Sequence, residues 1–575
     1  MKTKIISLLT IFFICTHAFP QVSYIDYTSP FHPTVNKSGM VVSQNIESSN
    51  IGIEILNMGG NAIDAAVAVG FSLAITLPRA GNLGGGGFML VYIKEKNEIF
   101  SIDYRSKSPL RSNLEEIFNA NLPQDYNSIN RDLVRYGYKA NAVPGTVAGL
   151  LSAHKEFGKL PLEQILQPVI EQAINGIKVS YDLHEAIKST PQLLEDKESK
   201  NIYFQEGYPV PIGSIMKRKD LANTIQLISK NGTAGFYQGE VAEKFDQAMQ
   251  NNEGFISKDD LKEYTVNFQI PISTLYRGNK IYTQGPPSGG GVTLLTALNI
   301  LETYNLKKLR SDSTITYHLI AEALRRGHNN RSHYVGDPSF YEVPIEKLLS
   351  IKRTQELKKN LRFKKATPSS KIKPFEVIHE SKDTTHFSII DKDGNAVSNT
   401  YTLGYSFGSG VTIPGTGILM NNQMNNFALQ HGDSSIKGRS ASLANKFMPG
   451  KRPMSTMDPV MVFNKNGELS LITGSPGGSF IPAAVLRVIT GVIDFELDIG
   501  EATMLPRIHK DWPYVGLEYE STMNSSIAKQ LNKIGHKMEK SKTMGSTQSI
   551  HIVDQMNYGY SDLRRPNAGV AIQID

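Results

Sequence analysis

Cysteine is almost absent: the chain has one, Cys15, in 575 residues. It lies in an N-terminal run with the form of an export signal. Lys2 and Lys4 make the charged start, Ile5 to Cys15 the apolar stretch, and Thr16-His17-Ala18 a small-residue cleavage site. Removing residues 1–18 leaves no cysteine, which excludes disulfides, thiol nucleophiles and zinc–thiolate centres. Long apolar runs are missing too. The signal stretch is too short for a comfortable membrane span, and no later stretch is long enough. The expectation is an exported protein, periplasmic or extracellular, with no transmembrane span. A lipid anchor at Cys15 is disfavoured because bulky Ile14 precedes it. Charge of one sign is scarce: the formal net charge is +7 and scattered. Its densest patch, Lys358-Lys359 and Lys364-Lys365, reads as a solvated face. Basic residues nowhere interleave with aromatics as in nucleic-acid grooves, so nucleic acid is not an expected partner. No repeat, polar linker or low-complexity tract divides the chain.

The chain carries alternating helix and hairpin signals. Gly39 to Ser43 reads as a strand and Asn45 to Met58 as a helix stopped by Gly59-Gly60. Asn61 caps a helix from Ala62 to Ala74 that is apolar nearly all round and therefore buried. After Pro78 and the glycine loop Gly81 to Gly87, Phe88 to Ile93 and Ile99 to Tyr104 form a hairpin. Pro109 to Arg362 reads as largely helical, with helices near Val147–Glu156, Leu162–Asn175, Leu221–Lys230, Val292–Thr303 and Tyr317–Arg326. Lys364 to Lys382 is a polar connector of the kind that tolerates chain breaks. Beyond it the pattern is β. Asp393-Gly394 joins Thr384–Ile390 to Ala396–Leu403, and Asn466-Gly467 joins Pro459–Phe463 to Leu469–Thr473. Helices at Ser479–Ile493 and Met523–Gly535 and strands at Thr547–Val553 and Gly569–Ile574 complete it. Antiparallel hairpins bracketed by buried helices predict an α+β, four-layer αββα sandwich.

Most familiar site chemistries fail on order or spacing. The glycine loop precedes a strand rather than opening a helix, so it is no phosphate cradle; close backbone approach explains it better. No His-Glu-x-x-His or EF-hand spacing occurs, and His328 and His333 sit beside no cluster in sequence, so no metal or other cofactor is expected. Gly404-Tyr405-Ser406-Phe407-Gly408 matches a nucleophile elbow as a string, but Ser409 to Pro414 reads as loop or strand where the elbow needs a helix. What remains is threonine chemistry. A threonine freed at a chain break uses its own α-amine as base. A Gly-Gly turn at a helix N-terminus, here Gly477-Gly478, offers backbone N–H groups to an oxyanion.

The run Thr384-Thr385-His386-Phe387-Ser388 with Asp391 to Val397 resembles the start of the small subunit of γ-glutamyltransferases, N-terminal-nucleophile hydrolases that cut themselves into two subunits. The resemblance continues through Gly417 to Met424, Lys451 to Ser455, Thr473 to Ser479 and Gly545 to Ser549, and upstream through Gly59 to Ala68 and Gly81 to Met89. It covers nearly the whole chain in order. It implies a signal at 1–18, a large subunit at 19–383, a cut between Asp383 and Thr384, and a small subunit at 384–575, the two staying together as a heterodimer. It implies Thr384 as nucleophile, Thr402 as the hydroxyl orienting it, and Gly477 and Gly478 as oxyanion hole. Arg105 is similar to the arginine gripping the donor α-carboxylate, Ser455 and Thr456 to a hydroxyl pair on the same group, and Gln423 to a residue on the α-ammonium. Arg564 resembles an arginine that helps hold the subunits together. The implied substrates are glutathione and other γ-glutamyl donors, with amino acids, peptides or water as acceptors.

Two positions depart from the family pattern. Asn426 replaces an aspartate facing the donor ammonium, and Gly404 stands where many members carry asparagine. A neutral wall suits glutaryl-type groups, which cephalosporin acylases of this family process, so that acylase activity is the alternative. A reading of another class is an exported binding protein that keeps the fold and never matures. Pro414 to Met424 and Phe427 to Arg452 are long enough to include a lid over the acyl-enzyme, but the second stretch has no tyrosine.

Overall fold

The computed structural model describes residues 30–117, 131–372, 383–428, 443–512 and 514–574. The signal segment, connector residues 373–382 and lid-stretch residues 429–442 lie outside them.

Two seven-stranded antiparallel sheets face each other. In the first, the strands run in the order Gly569–Ile572, Met40–Ser43, Asp383–Ile390, Ala396–Gly404, Gly86–Ile93, Glu98–Tyr104 and Asn267–Gln269. In the second, the order is Thr34–Asn36, Met556–Ser561, Gln548–Val553, Leu469–Thr473, Val460–Phe463, Asn279–Thr283 and Ile272–Tyr276. Strands from before and after residue 384 alternate in both.

Period-two alternation sorts each strand into two layers. Met40, Val42, Leu90, Tyr92, Ile390, Met461, Ile472 and Ile550 make the seam between the sheets. Val41, Met89, Val91, Phe387, Ile389 and Val397 turn the other way, onto helices Ala62–Thr76, Thr146–Phe157 and Leu162–Asn175. On the far side, Ile281, Val460, Val462 and Leu471 pack against Gly289–Leu301, Thr314–Tyr334 and Ile481–Ile493. These three seams make the αββα order. The central helix Ala62–Thr76 is buried along its whole length and opens with a capping box, Asn61 with Asp64. Among the described residues no helix is long and apolar enough to cross a membrane.

Two expectations need correction. The stretch from 109 to 362 is not wholly helical: it contributes Asn267–Gln269, Ile272–Tyr276 and Asn279–Thr283 to the sheets. Tyr317–Arg326 is the middle of a longer helix, Thr314–Tyr334. Its polar second half is buried, so tertiary packing overrides what polarity suggests.

Candidate active site

Thr384 enters the site through an irregularity in its strand. Asp383 pairs with Gly404 and Thr385 with Tyr401, so Thr402 and Leu403 stand opposite Thr384 alone. Such a bulge re-aims a side chain and leaves it outside the regular ladder. Thr384 is 5% exposed and shares its face of the strand with His386 and Ser388. His386 takes no part in the pocket. Its ring bonds with Thr400 Oγ1 (2.8 Å) and Ser388 Oγ (3.1 Å), and burial pushes its pKa down to about 3, which keeps it neutral.

Thr384 and Thr402 line one narrow pocket with Arg105, Gly404, Asn426, Ser455, Thr456 and Gly478. Met457 and Ile481 complete the wall; as ordinary apolar residues they carried no signal in the sequence. Thr402 Oγ1 accepts the Gly404 N–H (2.8 Å), fixing the hydroxyl at the bulge. The glycine loop makes this approach possible. A side chain at Gly85 would meet Thr402 O at 2.4 Å, and one at Gly84 would meet Leu419 O at 2.2 Å.

Gly477 and Gly478 form the turn from strand Leu469–Thr473 into the helical segment that starts at Gly478, with φ of 130° and 57°. L side chains rarely adopt these angles, so glycine is required. Thr456 Oγ1 donates to Gly478 O (2.8 Å), tying the turn to the Ser455-Thr456 segment. The first N–H groups of a helix have no intrahelical acceptor, so the turn presents donors where an oxyanion needs them.

Arg105 follows strand Glu98–Tyr104 and is 1% exposed. Its guanidinium donates to Pro453 O (3.2 Å) and Met454 O (3.4 Å), which orient it beside Ser455. Neighbouring Asp103 accepts the Arg105 N–H and lies 3.5 Å from Arg452. Burial pushes the Asp103 carboxyl up, and Arg452 pulls against that shift. None of the residues lining the pocket is a carboxylate; Arg105 is the one charged group in its wall.

Gln423 does not line this pocket. Its amide donates to Thr402 O (2.8 Å), and its Oε1 is buried without a hydrogen-bond partner among the described residues. Its placement is behind the nucleophile strand rather than on the donor. Gly404 has a φ of +106°, and a side chain there would meet Asn422 Oδ1 at 2.1 Å. Asn422 is itself fixed by Tyr405 N–H (3.0 Å), Arg135 O (2.9 Å) and Gly408 O (2.8 Å). Residues 405–411 form turns and lead to a short strand, Thr412–Ile413, so no elbow helix succeeds Ser406. Arg564 is not a surface residue, and the groups its side chain bonds all lie after residue 384. It pairs with Glu520 (2.7 Å) and Asp562 (3.2 Å) and donates to Thr503 O and Leu505 O.

The fold also assembles histidine groups that sequence spacing hid. His328 lies 3.6 Å from Asp511 and stacks edge-on with His509, and His333 packs on Trp512. His318, Glu322 and His536 form a second group, distant in sequence and joined by packing.

A threonine at a strand start, a glycine turn facing it and an αββα sandwich define the N-terminal-nucleophile hydrolase class. Comparison with known proteins narrows this. A family model described as gamma-glutamyltranspeptidase matches residues 48–572. The glutathione hydrolase proenzyme of Escherichia coli (strain K12) is 40% identical over 550 residues, covering 95% of this chain and 93% of its own length. That of Pseudomonas aeruginosa is 35% identical, covering 95% and 96%. The crystal structure of cephalosporin acylase from Bacillus halodurans superposes with a TM-score of 0.82 at 26% identity, covering 97% of this chain and 99% of that one. The chain belongs to the gamma-glutamyltranspeptidase family. It is an enzyme, and the binding-protein reading falls.

Proposed function

We propose that the protein is an exported, self-processing γ-glutamyltransferase and glutathione hydrolase that matures by a cut between Asp383 and Thr384. The freed α-amine of Thr384 takes the proton of its own hydroxyl, and Oγ attacks the γ-carbonyl of a γ-glutamyl donor. The Gly477 and Gly478 N–H groups bind the oxyanion, and Thr402 orients the nucleophile. Collapse expels the donor amine, which leaves with the proton, and a γ-glutamyl ester remains on Thr384. Water or an acceptor amine then attacks the ester and regenerates the hydroxyl. Arg105, with Ser455 and Thr456 beside it, holds the donor α-carboxylate; a planar guanidinium does this with two parallel hydrogen bonds.

One observation carries this reading: Arg105, Thr384 and Gly478 come from distant parts of the chain and line the same pocket. The test is to purify the protein, run a denaturing gel and assay a chromogenic γ-glutamyl anilide. Two bands and release of the anilide are expected; one uncut band without release would sink the proposal.

The absence of a carboxylate among the pocket-lining residues, Asn426 included, supports a second reading, a glutaryl-type acylase. An acyl group with one carboxylate and no ammonium satisfies Arg105 and asks nothing of Asn426. Side-by-side turnover of glutaryl and γ-glutamyl anilides separates the two. A strong γ-glutamyl preference ends the acylase reading.

A further inference from the structure

Glu322, on helix Thr314–Tyr334, is the centre of a built polar cluster away from the pocket. Its carboxylate is fully buried. It accepts from Arg326 Nη1 (2.6 Å), Thr367 Oγ1 (2.6 Å), the Thr367 N–H (3.3 Å) and Arg325 Nη2. Arg326 also donates to Leu357 O and Asn360 Oδ1, both at 2.6 Å. One turn earlier, the His318 ring bonds with Arg362 O (2.7 Å) and the His536 ring (2.8 Å).

The ligand-type atoms of His318, Glu322 and His536 lie within 4.8 Å of one another, which invites a metal reading. The chemistry opposes it. Two guanidiniums and Thr367 already use both carboxylate oxygens, and their positive charge repels a divalent cation.

What the cluster does hold is the chain from 357 to 372. Leu357, Asn360, Arg362 and Thr367 are bound to it directly. Asn360 Nδ2 donates to Lys371 O (2.9 Å), the Ala366 N–H donates to Ile534 O (2.7 Å), and Ile372 packs on Trp512. Further along, the chain is next fixed at Asp383, which pairs with Gly404. Buried ion clusters stabilise weakly once desolvation is counted, and their best-attested use is to specify one arrangement.

We infer that Glu322, Arg326 and Thr367 are positioning residues for self-cleavage, clamping the chain that leads into the Asp383–Thr384 bond. This rests on the self-processing proposed above. In the cut, Thr384 Oγ bonds to the Asp383 carbonyl carbon and the peptide C–N bond breaks. The hydroxyl proton goes to the departing nitrogen, leaving an ester. Water then hydrolyses the ester to the Asp383 carboxylate and the free Thr384 hydroxyl. The first step needs a near-attack geometry, and a chain loose on the upstream side populates it less. Turnover after the cut needs no clamp, because none of its residues lines the pocket.

The test tracks full-length protein after a pulse of cell-free synthesis, measuring conversion to two bands and anilide release per cut molecule. Thr367→Val keeps the backbone N–H but loses the hydroxyl that bonds a carboxylate, so cutting should slow about tenfold. Release per cut molecule stays at the wild-type value, and Thr367→Ser restores the cutting rate. Unchanged cutting in Thr367→Val overturns the clamp. So does a parallel loss of cutting and turnover, which would mean general damage to the fold. A wild type that is never cut removes the self-processing reading itself, and the clamp with it.

Discussion

At the scale of single residues, specificity rests on what the pocket lacks. Arg105 is its one charge, and Asn426 and Gly404 are neutral. Hydrogen bonds to charged groups are worth roughly 1 kcal/mol more than neutral ones, about fivefold in affinity. Asn426→Asp should therefore raise the kcat/KM ratio of γ-glutamyl to glutaryl anilides about fivefold, measured side by side on the cut enzyme. An unchanged ratio would place the ammonium elsewhere. Gly404→Asn should not do the same. Its φ of +106° and the 2.1 Å approach to Asn422 mean strain and a displaced side chain, so a lower Tm is expected instead. Gly404 therefore belongs to a local solution built with Asn422, and sequence alone had no view of that. Arg105 was legible only through resemblance, since a buried arginine and a surface arginine look alike in a string. Gln423 and Arg564 were matched to motifs, yet the first supports Thr402 and the second binds residues of its own half.

At the scale of elements, strong local signals translated directly. Leu162–Asn175 and Leu469–Thr473 have the bounds their periodicity predicts. The hairpin Ile272–Tyr276 with Asn279–Thr283 was illegible because its turn is unusual. Arg277 has a φ of 53°, a conformation arginine seldom takes. It is held there by Asp494 (2.9 Å), Glu302 and the carbonyls of Leu301 and Tyr304, a long-range network that no local pattern reports. Asp554 and Gln555, both at positive φ, hid strand Met556–Ser561 in the same way. The Gly477-Gly478 turn was legible because only glycine fits it. Gly477→Ala forces an L residue to a φ of 130° and moves the turn's N–H groups. A loss of about a hundredfold in kcat is expected, the scale of removing an oxyanion donor, with a much smaller change in KM. Anilide kinetics on the cut fraction provide the check.

At the scale of the molecule, the two sheets explain how a cut chain can stay whole. Strands from either side of residue 384 are neighbours in both sheets, so a break at that point removes no sheet pairing beyond the broken bond. This interleaving was not legible in the sequence, where the helical and β halves look separable. The same close packing sets the response to acid. Burial holds His386 and His509 at a pKa of about 3 and His551 at about 4, against an ordinary 6.5. As pH falls below 6.5 the unfolded chain binds protons that the folded one refuses, so stability drops down to those folded values. Glu322 acts in the same direction lower down. Held at about 2 against 4.5, its contribution is complete above 4.5 and is lost as pH falls toward 2. The urea midpoint should therefore fall steadily from pH 7 to pH 4; a flat profile would mean these histidines are hydrated.

The central claim is that Thr384 becomes the first residue of a second chain and carries the acyl group. Mass spectrometry of the purified protein, before and after a brief exposure to a γ-glutamyl donor, tests it directly. The account predicts a fragment beginning at Thr384, with the γ-glutamyl mass added on that threonine. An intact Asp383–Thr384 bond, or an acyl group found on any other residue, would contradict it.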